Sequence, residues 1–273
     1  MAPKKLHMTR VPTSKLSPSR IRMIAIFDPS ADPYLMAQTV LPAQPLLDWI
    51  AEERKRTDRG ITTTIAMTKL LAGAIEHHPS FNSLVFGGKV YRLRDISITI
   101  PFLIPDTDDE LMNIVIDNAH QKSTEAVFDE FKAAMEKQQE ADASRARWHQ
   151  TVGPLFLAKS GLLRWIGEKR AFRILYETGL GSNIVLTNAS DRGKARMIIT
   201  KNGLHILRTL TRFYLHGIQD TAVVEDGVVV PKKTVTLSIA FDHRMIDGIQ
   251  LNRFLETLEQ FAADPAAAFA HTK

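Results

Sequence analysis

The sequence predicts an α/β fold: a two-layer sandwich in which a mixed sheet carries helices on one face. Three observations predict it. Helical and strand periodicities are interspersed along the chain rather than segregated. Residues 95–104 alternate cleanly, with Ile96, Ile98, Ile100, Phe102 and Ile104 on one face. A strand pair is joined by Asp226-Gly227, the strongest short-range hairpin signal. No internal repeat of fixed period competes with this reading.

The totals bound the rest. With 273 residues and 44% hydrophobic content the chain can bury a full-sized core without staples. It has no cysteine, which excludes disulfides, thiolate metal sites and a cysteine nucleophile. No run of roughly 20 apolar residues offers a membrane span. The first ten residues, MAPKKLHMTR, lack the apolar stretch of a secretory signal, so a cytoplasmic location is expected. The net charge is +5, and no acid precedes Asp28. Residues 1–20, with Pro3, Pro12 and Pro18, are read as a basic arm, either simply solvated or attractive to anions. Residues 21–273 are read as one domain. Zinc-finger spacing, an RNP-like aromatic motif and a Gly-rich phosphate loop are all missing, so no nucleic acid is expected.

In chain order, residues 19–27 read as a first strand, and prolines 29, 33, 42 and 45 then break the pattern. Residues 44–58 read as a helix ending at Gly60. Residues 61–79 are a stronger helix, capped by Thr62 or Thr63, with Ile65, Ala66, Leu70, Leu71, Ala74 and Ile75 inward and Pro79 closing it. A Gly87-Gly88 turn leads into a short strand, and residues 110–117 suggest another. Ser123 can cap an amphipathic helix over 123–140. Residues 148–180 mix apolar and basic positions at helical spacing and read as a helical insertion that packs on its own protein or a neighbouring subunit, with a membrane surface as the alternative. Residues 183–188 and 234–241 read as strands, and 249–264 as a helix.

The chemistry concentrates where the strand 234–241 meets that last helix. His243 stands at the strand end, and Asp247-Gly248 precedes the helix. An imidazole there is held by a rigid sheet yet open to substrate, and it can accept a proton at neutral pH. The residues alone also allow a polar loop histidine, an N-cap at Asp247 and a turn glycine at Gly248. His77 and His78 sit at a helix end, with no HExxH or comparable spacing for a metal. His205 and His216 read as incidental.

FDHRMIDG, followed by LNRFLETLEQFAADP, resembles the closing segment of the acyltransferase core of 2-oxoacid dehydrogenase complexes. The shorter pattern His-x-x-x-Asp-Gly is also that of chloramphenicol acetyltransferase. Weaker resemblances precede it in order: AMTKLLAGAIEHHPSFNS with Pro79 and Asn82, ISITIPFLIPDTDDELMNIVID, and GSNIVLTNAS with Thr187-Asn188. They span residues 61–265, apart from 148–180.

The resemblance implies a fold and a reaction. His243 would be the general base, activating a thiol or hydroxyl toward an acyl thioester. Thr187, where the family has serine, would donate a hydrogen bond to the oxyanion. Asp247 would hold the loop by pairing with an arginine, Arg20 or Arg22, while Asn188 and Gly248 give structural support. Coenzyme A is implied as a substrate, with no metal. A homotrimer with sites at subunit boundaries is implied, with larger assembly open.

The sequence also departs from the family. Residues 1–43 are too few for a lipoyl or subunit-binding domain, no lysine hairpin for covalent lipoate is seen, and 105–120 lacks the usual Gly-Leu-Ile-x-Pro-Val run. The acceptor is therefore either a lipoyl group on another protein or a small molecule. A non-catalytic trimeric scaffold is the alternative reading.

Overall fold

The computed structural model describes residues 5–27, 33–103, 111–140, 168–177, 181–188 and 211–269. Its centre is a mixed sheet of six strands: β2 (Tyr34–Pro42), β5 (Ile98–Leu103), β6 (Leu111–Ile116), β7 (Ile184–Asn188), β8 (Thr211–Glu225) and β9 (Val228–Asp242). Their order is β2-β9-β8-β7-β5-β6. Strand β7 runs parallel to both its neighbours, and the other pairs are antiparallel.

The β8–β9 hairpin is longer than the sequence suggests: its two strands have 15 residues each. Both turn residues take positive φ, Asp226 at 50° and Gly227 at 82°. That is the twist a two-residue hairpin turn needs, and it explains this residue pair. Only the inner halves are embedded. Strand β7 pairs with Thr211–Leu215 and β2 with Thr234–Asp242. Among the described residues the outer halves pair only with each other, and Val224, Val228 and Val229 there are exposed.

The helices α2 (Gln44–Thr57), α3 (Thr63–His77), α4 (Thr124–Glu140) and α6 (Gly248–Ala263) form one layer. Helix α3 touches the other three, and together they reach strands from β2 to β6. Helix α3 is buried almost all round, as its apolar sequence demands. Thr62 caps it by accepting from the Ile65 amide at 3.3 Å. Phe254 of α6 stacks on Phe81 with centroids 4.0 Å apart, which locks α6 to the segment after α3. Ser123 caps α4, accepting from the Ala126 amide. A short helix α7 (Pro265–Phe269) returns to α2 through a Phe269–Trp49 ring contact.

Two expectations are corrected. Residues 19–27 are not a strand: Pro18–Phe27 forms helix α1. Ser17 Oγ accepts from the Arg20 amide, and Arg20 and Ile24, one turn apart, are both buried. The isoleucines favour a strand in isolation, and packing overrides that preference. Residues 5–20, the described part of the expected arm, are not simply an arm either. Leu6 is buried, and β1 (Met8–Arg10) pairs with β4 (Lys89–Leu93), which also pairs with β3 (Ser83–Phe86). This second, three-stranded sheet carries a small core of its own. Phe172 and Tyr176, in and just after helix α5 (Glu168–Leu175), pack there with Leu6, Phe86 and Tyr91. The rest of the expected insertion, 148–167 and 178–180, lies outside the described residues.

Gly181 fixes the entry to β7. Its φ is +61°, and a Cβ there would sit 2.7 Å from Val115 Cγ2. Gly181→Ala should therefore lower stability by about 1–3 kcal/mol, read from the urea midpoint. Adding Val115→Ala should recover only the part due to the contact, since the backbone penalty stays.

Candidate active site

His243 follows the last residue of β9. Its amide donates to the Pro33 carbonyl at 2.9 Å, so the segment entering β2 pins it. Its Nδ1 lies 2.9 Å from the Ile246 carbonyl. A carbonyl can only accept, so Nδ1 carries the proton and Nε2 is the basic nitrogen. The ring is half-buried.

The residues on either side form a buried ion pair. Arg244 is fully buried and Asp242 nearly so. Arg244 Nη2 meets Asp242 Oδ2 at 2.7 Å, and Arg244 Nε and its amide both reach Oδ1. The Met245 and Ile246 amides donate to the Asp242 carbonyl, closing a tight turn around the imidazole. The signal for this pair was present in sequence as Asp-His-Arg, but nothing local says that both charges go inside.

Asp247 fulfils both of its expected readings at once. Its Oδ1 accepts from the Gln250 amide at 3.0 Å, and the Gln250 side chain accepts from the Asp247 amide, a reciprocal cap on α6. Its Oδ2 takes Arg20 Nη2 at 2.9 Å. Arg20 also donates to the Arg244 carbonyl at 3.0 Å and to Gln250 Oε1. Burial pulls the Arg20 pKa down, against the opposing pull of Asp247, and a guanidinium remains charged through such a shift. Arg20 is thus the partner of Asp247. Arg22 is exposed and reaches Ser19 instead, so its expected support is not found. The helix explains the choice: Arg20 falls on the buried face of α1 with Ile24, and Arg22 does not. Gly248 opens α6 with open space where a Cβ would stand, so no steric demand explains it.

Thr187 is half-buried near the end of β7, across from Tyr214. Asn188, expected to give structural support, is the last strand residue, and its Nδ2 donates to Thr64 Oγ1 at 2.9 Å. It ties the strand end to the first turn of α3. The chain does not bring Thr187 to His243. Tyr214 is paired with Ser238, and β9 then runs on, away from the Thr187 end, to His243. At strand spacings the two lie about 20 Å apart, toward opposite ends of the sheet.

His78 and His216 serve packing. His78 Nε2 bonds Thr257 Oγ1 at 2.8 Å, and burial, then His77 and Arg253, lower its pKa. His216, expected to be incidental, is buried and bonds Ser238 Oγ at 2.8 Å. His205 lies outside the described residues. Among the described residues no group of three or more His, Asp or Glu side chains could hold a metal, and no helix is long and apolar enough to cross a membrane.

Comparison with known proteins agrees with this architecture. Residues 168–270 match the family model for the 2-oxoacid dehydrogenases acyltransferase (catalytic domain). A 52-residue stretch, 19% of this chain, is 40% identical to a probable dihydrolipoyllysine-residue succinyltransferase component of the Schizosaccharomyces pombe 2-oxoglutarate dehydrogenase complex, covering 12% of that protein. The curated relatives are much longer than the stretches matched, which cover 41% of their length or less. Among solved structures, a probable dihydrolipoamide acetyltransferase from Listeria monocytogenes superposes with TM-score 0.62 at 17% identity, covering 97% of this chain and 95% of that one. A chloramphenicol acetyltransferase gives TM-score 0.60 at 14% identity, covering 94% and 100%. The chain has the fold that these two share, and the resemblance read from FDHRMIDG leads to the right architecture.

The two arginines make a direct test of the loop. Arg20→Ala should cost about 1–3 kcal/mol in chemical denaturation, since it strips partners from Asp247, Gln250 and the Arg244 carbonyl. Arg22→Ala should stay within about 0.5 kcal/mol of the parent.

Proposed function

We propose that this chain catalyses acyl transfer between coenzyme A and a thiol or hydroxyl acceptor, with His243 as general base. The observation that carries this reading is the Nδ1 contact to the Ile246 carbonyl, which leaves Nε2 as the basic nitrogen of a ring set on a rigid strand end. Nε2 takes the proton from the incoming S–H or O–H. The nucleophile attacks the thioester carbonyl, and the oxyanion that forms needs a donor. Collapse then expels the leaving thiolate, which recovers the proton from the imidazolium, so the histidine ends as it began.

Thr187 is the proposed oxyanion donor, and it acts on a neighbouring copy. Within one chain it is about 20 Å from His243, too far to share a tetrahedral intermediate. A closed ring of copies, a trimer by the family resemblance, would set Thr187 of one subunit against His243 of the next. Threonine has the hydroxyl of serine, with an added methyl that narrows its rotamers. The names of the relatives point to dihydrolipoamide as the first acceptor to try, carried by a partner protein or free.

The test is mass spectrometry of the acylated acceptor, using acetyl-CoA or succinyl-CoA with dihydrolipoamide and a panel of small alcohols. His243→Ala should lower kcat by about 100-fold or more. Thr187→Ala should lower it by about 100- to 1,000-fold, while Thr187→Ser retains activity. Full activity in His243→Ala refutes the assignment, and an assembled wild-type protein without turnover or CoA binding favours the scaffold reading.

Sharing of the site is tested separately. Co-expressed His243→Ala and Thr187→Ala chains, purified together through different tags, should regain about a third of wild-type activity, since one of the three interfaces in every mixed trimer joins an intact histidine to an intact threonine. No recovery in mixed oligomers rejects the shared site.

A further inference from the structure

A cavity of about 650 Å³ lies between α3, the short 3-10 helix Ala119–Gln121, the end of α6 and α7. It is remote from the histidine loop. His243 precedes the start of α6, and the cavity lies at the other end, roughly 24 Å along a helix of this length. Nothing in the proposed transfer uses it.

Its floor holds two buried polar groups. Lys69 is 2% exposed, and its Nζ donates to the Ala119 carbonyl at 2.9 Å and to the Lys122 carbonyl. An ammonium has three N–H bonds, so one is left over for the cavity that Lys69 lines. His120 is 8% exposed, and its Nδ1 is fully buried without a hydrogen-bond partner among the described residues. A buried polar atom left unpaired is costly and calls for an explanation. Phe261 and Phe269 supply an apolar wall, and Glu76 and Asp264 stand exposed at the rim.

We propose that this cavity is a second ligand site, for a small monocarboxylic acid whose carboxylate meets Lys69 and His120 and whose apolar body lies on Phe261 and Phe269. The charges decide the ligand class. One buried cation suits one carboxylate. Two rim acids repel a polyanion such as a phosphate ester. An amine would be set against the buried ammonium. Burial lowers the Lys69 pKa to about 8, despite Glu76, and burial also lowers His120. An anion bound beside Lys69 would favour its charged form.

The test is calorimetric titration of the full chain with hexanoate, hexylamine and inorganic phosphate. Hexanoate should bind saturably, with hexylamine and phosphate at least tenfold weaker. Lys69→Met should weaken hexanoate at least tenfold. Because Lys69 also holds two carbonyls, Ala267→Trp provides a second variant: it projects into the cavity from an exposed position and should block binding while thermal unfolding stays unchanged. Three results overturn the proposal: no saturable binding of hexanoate in the millimolar range, hexylamine or phosphate binding as tightly, or unchanged hexanoate binding in a folded Ala267→Trp protein.

Discussion

The geometry of the histidine loop depends on one guanidinium. Arg20 joins three pieces that are far apart in sequence: helix α1, the carbonyl of Arg244 within the turn, and the Asp247–Gln250 cap of α6. Without it the turn, the cap and α1 lose the hydrogen bonds that join them. Charge-assisted hydrogen bonds in a partly dry setting are well suited to this, because they are directional and lose strength quickly when displaced. The Asp242–Arg244 pair does a different job. It places two opposite charges inside the fold, where burying both ions costs much of what their attraction returns.

The second constraint is the direction of the strands. β7 and β9 are separated by β8 and run opposite ways, so their C-terminal ends point to opposite edges of the sheet. Two side chains placed at those ends cannot serve one substrate in one chain. Thr187 and His243 stand at those two ends, which is why the proposed transfer pairs them between copies and makes assembly part of the chemistry proposed.

Much of this was legible in the sequence, for physical reasons. Helix α3 announces itself by a threonine cap and a proline stop. The β8–β9 turn does so by its Asp-Gly pair, and the loop by His243 and Asp247. What stayed hidden depends on distant contacts. Arg20 and Arg22 are equivalent by composition, and only the helical phase of α1 separates them, yet the isoleucines there disguised the helix as a strand. The three-stranded sheet was invisible because β1 is too short to show a period, and because it needs Phe172 and Tyr176 from far along the chain to have a core. Lys69 and His120 looked unremarkable, since burial cannot be read from a lysine or a histidine alone.

The overhang of the β8–β9 hairpin has a consequence for how the chain loosens. Among the described residues its outer half has no third strand and little buried apolar surface, so its amides should exchange with solvent through local fraying. The inner half is paired on both sides, so its amides are released only when the whole sheet opens. Strand β9 therefore passes from a soft end to a hard end within 15 residues, and the imidazole is mounted at the hard one. Length added at Asp226-Gly227 is absorbed where the structure already breathes, which makes that turn the natural place to splice in a tag or a guest domain without disturbing the histidine.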